Sequence, residues 1–326
     1  MKTTIPVHIL TGFLGAGKTT LLNHLIKDLQ PQRIMVIENE VGRVNIDGAL
    51  VVDGVGGVVE LTAGCICCSL NDELIETLAD IAAKKENFDR LFIETTGIAD
   101  PGAVAQIFLD YPFIADEFEL INIICLADAR NLETNLLEAE EAQRQLSAAD
   151  VILLHKTDLV GPADRQQQRI PLIRGFNPLA TIYATSLSNF PPSADLLKDA
   201  VPEIGAQHQT QSVDKTHAFK HQGISTYCLT FNRDFDLPTL SRELIKLLHI
   251  HRHQVLRIKG ILATQHNPVK LILQSVRDTY TLSDGTPWQN HEPRESKMVF
   301  IGRGVEKSSL ERFFSHCLIK EQPPGK

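Results

Sequence analysis

The stretch Gly12–Thr19, GFLGAGKT, has the spacing G-x-x-x-x-G-K-[ST]. Such a run turns backbone N–H groups inward around phosphate oxygens at a helix N-terminus, where the dipole favours negative charge. On this reading Gly12, Phe13, Leu14, Gly15, Ala16, Gly17, Lys18, Thr19 and Thr20 are the candidate nucleotide-binding loop. Lys18 reaches the β and γ phosphates, and the Thr19 hydroxyl is a ligand for the Mg²⁺ that accompanies the nucleotide. A second acid is needed at the end of a neighbouring strand to hold the Mg²⁺ shell, and "RLFIETTG" supplies Glu94 after an apolar run. Gly97, three residues on, is placed to offer its N–H to a γ-phosphate. Lys18 and Glu94 are therefore candidate catalytic residues.

A third stretch, "VILLHKTDLV", follows another apolar run and presents His155, Lys156 and Asp158. It approaches the Asn-Lys-x-Asp element with which GTPases read guanine, with histidine in place of asparagine. The Asp158 carboxylate can accept from both N1–H and N2–H of guanine, which adenine cannot offer. The Lys156 stem can lie over the base while its charge stays in water. The expected nucleotides are GTP and GDP. With no glutamine in an obvious position to orient the attacking water, Asp47 is the candidate, by its place between the first helix and the cysteine segment. Lacking an arginine finger, hydrolysis should be slow.

Of six cysteines in 326 residues, three stand within "GCICCS" as Cys65, Cys67 and Cys68. Thiolates are strong ligands for Zn²⁺ and for borderline ions such as Co²⁺ and Ni²⁺, and three of them leave a fourth tetrahedral position for a carboxylate, water or a recipient's ligand. A helix N-terminus just beyond Cys68 would ease deprotonation. Metal handling, a structural metal and redox-active thiols are all compatible with this spacing. Cys125, Cys228 and Cys317 lie in apolar runs and are read as small buried hydrophobes. The histidines of "HIHRH" are read as a solvated helix end.

In this order "GFLGAGKTT", "ENEVG", "GCICC", "ETTG" and "KTD" resemble the CobW-type P-loop GTPases, and the longer run through "IETTGIADP" is most similar to their YjiA-like branch. The resemblance continues through "VLRIKG", "TPW" and "MVFIG". It implies a GTP-dependent metal chaperone with a transition-metal site at Cys65, Cys67 and Cys68 joined by Glu38 and Glu40, and an unidentified client metalloprotein as recipient. That branch has an acidic residue where this chain has Arg43. A regulatory GTPase keeping a redox-active or structural thiol cluster is the alternative.

These groups need a scaffold. Residues 1–205 alternate β-rich runs with helical segments, the pattern of a mostly parallel sheet wound by crossover helices. The strands expected are Ile5–Leu10, Ile34–Ile37, Leu91–Glu94, Leu120–Ala127, Val151–Leu154 and Thr181–Ala184, continuous apolar runs as befits strands covered on both faces. Helices are expected over Lys18–Leu29, Leu70–Lys84, Leu136–Ala149 and Ala163–Arg174. A polar stretch over 206–222 reads as a linker, and residues 223–326 as a smaller α+β domain. In it two helices accompany four strands, the last two separated by the turn-rich "SDGTPW".

Composition limits the function class. Hydrophobic residues at 43% and charged residues at 22% fit a globular chain. The net charge of −8 disfavours broad nucleic-acid binding, which needs a basic surface. Without a long apolar run or a leader-like start, the expectation is a cytoplasmic protein with no membrane association.

Overall fold

The computed structural model describes residues 4–38, 57–60, 69–83, 88–160, 163–187, 189–198, 224–265, 267–289 and 292–319. The chain divides into two compact units, Met1–Arg174 with Ala180–Ala200, and Gly175–Leu179 with Val201–Lys326.

In the first unit the order is β1 (Ile5–Gly12), α1 (Lys18–Asp28), β2 (Ile34–Glu38), β3 (Gly57–Glu60), α2 (Ser69–Ala82), β4 (Arg90–Glu94), α3 (Pro101–Asp110), α4 (Pro112–Ala115) and β5 (Phe118–Asp128). Then come α5 (Leu132–Glu138), α6 (Glu140–Ala148), β6 (Val151–His155), α7 (Ala163–Phe176), β7 (Thr181–Ala184) and α8 (Ser193–Leu196). The seven strands form one sheet in the order β3-β2-β4-β1-β5-β6-β7, every pair parallel. Parallel neighbours need crossovers, and α1 supplies the first of them, burying Leu21, Leu22 and Leu25 beside Leu10, Phe92 and Ile124. Because all strands run the same way, their C-terminal ends share one edge. Gly12, Glu38, Glu60, Glu94, Asp128 and His155 all stand there.

The expected helix over Leu136–Ala149 is two helices. The chain leaves helical geometry at Ala139 (φ −125°, ψ 114°), and the buried Gln143 amide donates to Leu136 O at 2.7 Å, satisfying a carbonyl near the break. No glycine or proline marks this site; the side-chain hydrogen bond across the break identifies it. Helix α3, absent from the expected set, starts at an Asp100 cap whose carboxylate accepts from Gly102 N at 2.9 Å, with Pro101 at the first helical position.

The second unit contains β8 (Ile224–Phe231), α9 (Leu237–Ile250), β9 (Val255–Leu262), β10 (Val269–Val276), β11 (Thr279–Pro287), β12 (Ser296–Arg303) and α10 (Lys307–Ser315). Its antiparallel sheet has the order β11-β10-β9-β12-β8. Leu240, Leu244, Leu247 and Leu248 of α9 and Leu310 and Phe314 of α10 pack with Leu229, Ile258, Leu273 and Phe300 into one core. Most of "SDGTPW" lies in β11, a strand additional to the four expected, where turns were expected. It pairs with β10 from Val276↔Thr279 to Val269↔Pro287, with a register shift between Val269 and Leu271. Edge position and that shift accommodate the glycine and proline that argue against a strand in isolation. Cys125 and Cys317 are buried and Cys228 is half-buried; burial pushes the Cys125 thiol up to about 12 despite the nearby Lys18 charge.

Candidate functional site

The phosphate loop begins where β1 ends. Gly12 has φ +143°, and a Cβ there would lie 2.4 Å from Leu126 O of β5, so the loop leaves the sheet through a gap only glycine fits. Gly15 and Gly17 have φ +71° and +104°. The turn closes with Ala16 N donating to Phe13 O at 3.1 Å, and α1 begins with Leu21 N donating to Gly17 O at 3.0 Å. Among the described residues no side chain caps α1 and no acid stands in its first turn. Its first N–H groups therefore point into the loop as an anion-binding cradle. Lys18 Nζ donates to Gly12 O at 2.9 Å, which holds its charge over the loop. Leu14 and Thr20 are exposed on the rim, Ala16 is buried and Phe13 is half-buried.

Glu94, at the end of β4, accepts from Thr19 Oγ1 at 2.9 Å. The two groups chosen from separate motifs as Mg²⁺ ligands are thus adjacent, and a hydroxyl beside a carboxylate is a hard-oxygen donor pair of the kind Mg²⁺ takes. Thr95 ties β4 to β1, its N–H donating to Leu10 O at 2.9 Å and its hydroxyl to Thr11 Oγ1 at 3.0 Å. Gly97 lies against the phosphate loop: a Cβ on it would be 2.7 Å from Leu14 N. The buried Gln145 amide on α6 supports that loop from beneath, donating to Gly97 O at 3.0 Å and Ala99 O at 3.1 Å.

At the ends of β5 and β6, Lys156 adopts φ +59° and its ammonium donates to Gly15 O at 2.6 Å and to Asp128 Oδ2 at 2.8 Å. This lays the lysine stem along the phosphate loop. Burial pushes the Asp128 carboxyl up, but hydrogen bonds from Lys156, Arg130 N and Asn131 outweigh it and hold the group below the usual carboxylate range. Asp158 is exposed two residues further on. Thr185, just after β7, anchors the strand end: its carbonyl accepts from Thr157 N at 3.1 Å and from Thr157 Oγ1 at 2.9 Å. Its hydroxyl pairs with His155 Nδ1 at 3.0 Å. Asp128, Gln145, Thr185 and Phe190, whose ring stacks on His155, are the site's supports that the motifs leave out. The only local hint was the placement of Asp128 and Thr185 at strand ends on the shared edge.

Glu38 ends β2, half-buried, in register with Glu94 of β4 on one side and with Glu60 of β3 on the other. Glu40, Arg43, Asp47, Cys65, Cys67 and Cys68 lie outside the described residues. Among the described residues no group of three or more His, Cys, Asp or Glu side chains is arranged to hold a metal ion. Nor is any described helix long and apolar enough to cross a membrane.

Residues 6–184 match the family model described as CobW/HypB/UreG, nucleotide-binding domain, and residues 224–318 match the cobalamin synthesis protein cobW C-terminal domain. The chain is 34% identical over 317 residues to the zinc chaperone YjiA of Escherichia coli, an alignment spanning 95% of this chain and 98% of that protein. It is 27% identical over 346 residues to the zinc chaperone CobW of Pseudomonas aeruginosa, spanning 95% and 91% respectively. The crystal structure of the Zn(II)-bound YjiA GTPase from E. coli aligns with a TM-score of 0.70 at 30% identity, covering 97% of this chain and 99% of that one.

Proposed function

This chain belongs to the CobW/HypB/UreG family, and on that premise we propose that it is a GTP-binding, slowly GTP-hydrolysing metal chaperone of the cytoplasm. Its cargo is a transition-metal ion, zinc foremost and Co²⁺ or Ni²⁺ as the other candidates. Relatives named as zinc chaperones and the Zn(II)-bound structure of one of them support that cargo. The ion is carried by Cys65, Cys67 and Cys68 with Glu38 and Glu40, and passes to a client metalloprotein with the help of the domain over 223–326.

One observation carries the link between nucleotide and cargo. Glu38 of the proposed cargo set is the register partner of Glu94, which is bonded to Thr19 of the nucleotide loop. Neighbouring strands lie about 4.8 Å apart, so Glu38 and Glu94 stand side by side. The chain also leaves β2 and β3 at this edge, immediately before the segments that carry Asp47 and the cysteines.

In the proposed reaction the loop N–H groups from Gly12 to Thr20 and the Lys18 ammonium hold the β and γ phosphates, and Gly97 N–H meets the γ-phosphate. Thr19 and Glu94 would hold Mg²⁺, which when bound offsets the phosphate charge. Asp47 orients the attacking water. Lys156 covers the base with its stem, while Asp158 accepts from guanine N1 and N2. The switch segment Glu38 to Asp47 responds to GTP and relaxes on hydrolysis, changing metal affinity.

Linkage makes this reciprocal: metal must alter GTP affinity by the same factor. The test is the Zn²⁺ affinity of the reduced protein with GDP and with a non-hydrolysable GTP analogue. Equal affinities would overturn the coupling. Stoichiometric Zn²⁺ retention by the reduced protein, lost in a Cys67→Ala variant, is expected; a reduced protein that retains no Zn²⁺ would favour instead a regulatory GTPase with a redox-active thiol cluster.

A further inference from the structure

Helices α9 and α10 turn their apolar stripes to the core of the second unit, and their flanks form the walls of an open groove of about 620 Å³. The α9 wall presents Thr239, Arg242 and Glu243, and the α10 wall Ser309, Arg312, Phe313 and His316. Both walls follow one spacing, a hydroxyl, an arginine three residues on and a further side chain at the fourth, which keeps each set on one helical face. Lys246 Nζ at 2.8 Å and Arg242 Nε at 3.1 Å both donate to Glu243 Oε1, so the one acid of the walls is already matched by two cations. The Arg242 bond uses Nε, which leaves the terminal nitrogens of that guanidinium for another acceptor. Arg312 and His316 are exposed and carry no ion pair among the described residues. Phe313 is half-buried, its ring edge-on to Phe314 of the core with centroids 5.1 Å apart, and gives the groove an apolar patch.

We propose that this groove docks an acidic peptide segment of the client metalloprotein, with a carboxylate on each arginine and an apolar side chain against Phe313. Such a dock rests on the metal-chaperone reading above and gives the second domain its task, holding the recipient. Charge selects the occupant. A guanidinium offers paired N–H donors that match a carboxylate fork to fork. The chain as a whole carries −8, so a cationic groove attracts locally on a molecule that repels acidic partners elsewhere, and this fixes where one binds. A long polyanion such as nucleic acid would run beyond the groove into that negative field. The chain's own segment 320–326 brings two lysines and one glutamate, and so no acidic excess to fill the site. Cofactor pockets enclose most of their ligand; this groove is open to solvent, as a peptide dock must be.

The test is fluorescence anisotropy on the full chain with a short labelled peptide of glutamates around a central leucine, against the same peptide with glutamine for every glutamate. The glutamate peptide should bind, the glutamine peptide should not, and added salt should weaken the binding. Arg242→Gln and Arg312→Gln should each weaken it about 10-fold, the ratio for one lost charge-assisted contact. Arg312→Lys, which keeps the charge without the fork, should fall between. The variants should keep wild-type thermal unfolding, Zn²⁺ retention and GTP turnover, because neither arginine belongs to the nucleotide or cargo set. Equal binding of the two peptides, or binding unchanged in Arg312→Gln, would overturn the dock. So would preference for a single-stranded oligonucleotide, or self-association of the chain that Arg312→Gln abolishes. In each of those results Zn²⁺ retention by the reduced wild type still upholds the chaperone reading. A wild type that retains no Zn²⁺ removes that reading, and the client with it, whatever the peptide does.

Discussion

Lowering the pH from about 6.5 to about 5 should remove about 2 kcal/mol of stability from the nucleotide-binding unit through a single residue, His8. His8 lies fully buried in β1. Arg90 Nη1, a donor, faces its Nε2, so Nε2 must accept and Nδ1–H must donate to Asn122 Oδ1, at 2.8 Å. Asn122 in turn donates to Leu196 O at 2.8 Å and Lys198 O at 3.2 Å, which leaves the imidazole one neutral tautomer in a closed chain of hydrogen bonds. Burial pushes its pKa down to about 3; the Asn122 bond works against this, and the Arg90 charge adds to it. A folded pKa below the unfolded value of about 6.5 means that the unfolded chain binds the extra proton first. The stabilisation is therefore complete above pH 6.5 and declines as pH falls, by about 1.4 kcal/mol per unit, to a loss of about 5 kcal/mol near pH 3. His8→Gln keeps a donor and an acceptor but has no proton to gain. Urea unfolding read by hydrogen exchange in the β1 segment should show a steeper loss between about pH 6.5 and pH 5 in the wild type than in the variant, by about 2 kcal/mol. Parallel pH profiles would refute the reasoning, since the folded imidazole would then be accepting protons as freely as the unfolded one.

Two glycines of one loop should respond differently to alanine. Gly12→Ala forces a Cβ to 2.4 Å from a backbone oxygen of β5 at φ +143° and should lose about 3 kcal/mol or more in urea unfolding, together with nucleotide binding. Gly15→Ala meets no atom within 4 Å at φ +71° and should lose about 1–2 kcal/mol, the backbone penalty alone. Lys156→Met preserves the stem but leaves the buried Asp128 without its cation; a loss of about 3 kcal/mol is expected, and Lys156→Met/Asp128→Asn should recover part of it in the same assay. Asp47→Asn should bind GTP with unchanged affinity and turn it over more slowly, and an unchanged turnover rate removes Asp47 from the reaction.

What was legible in the sequence was whatever is encoded by neighbours along the chain. The apolar runs that enter both faces of a parallel sheet, the glycines that permit positive φ at Gly15 and Gly17, and the acid directly after β4 are local patterns. They suffice for the fold class and for placing Thr19 and Glu94 on candidate elements. The tertiary structure decided what those residues meet. That Glu94 accepts from Thr19, that Gln145 holds Gly97, and that Asp128 and Gly15 share the Lys156 ammonium are pairings between strand ends far apart in the chain. A parallel sheet brings such ends to one edge only after every crossover has packed, so no window of sequence contains them. The break at Ala139 and the strand β11 depend instead on partners close in sequence: each local preference is weak, and the bond of Gln143 to Leu136 O across the break, or the β10 ladder across a two-residue turn, outweighs it.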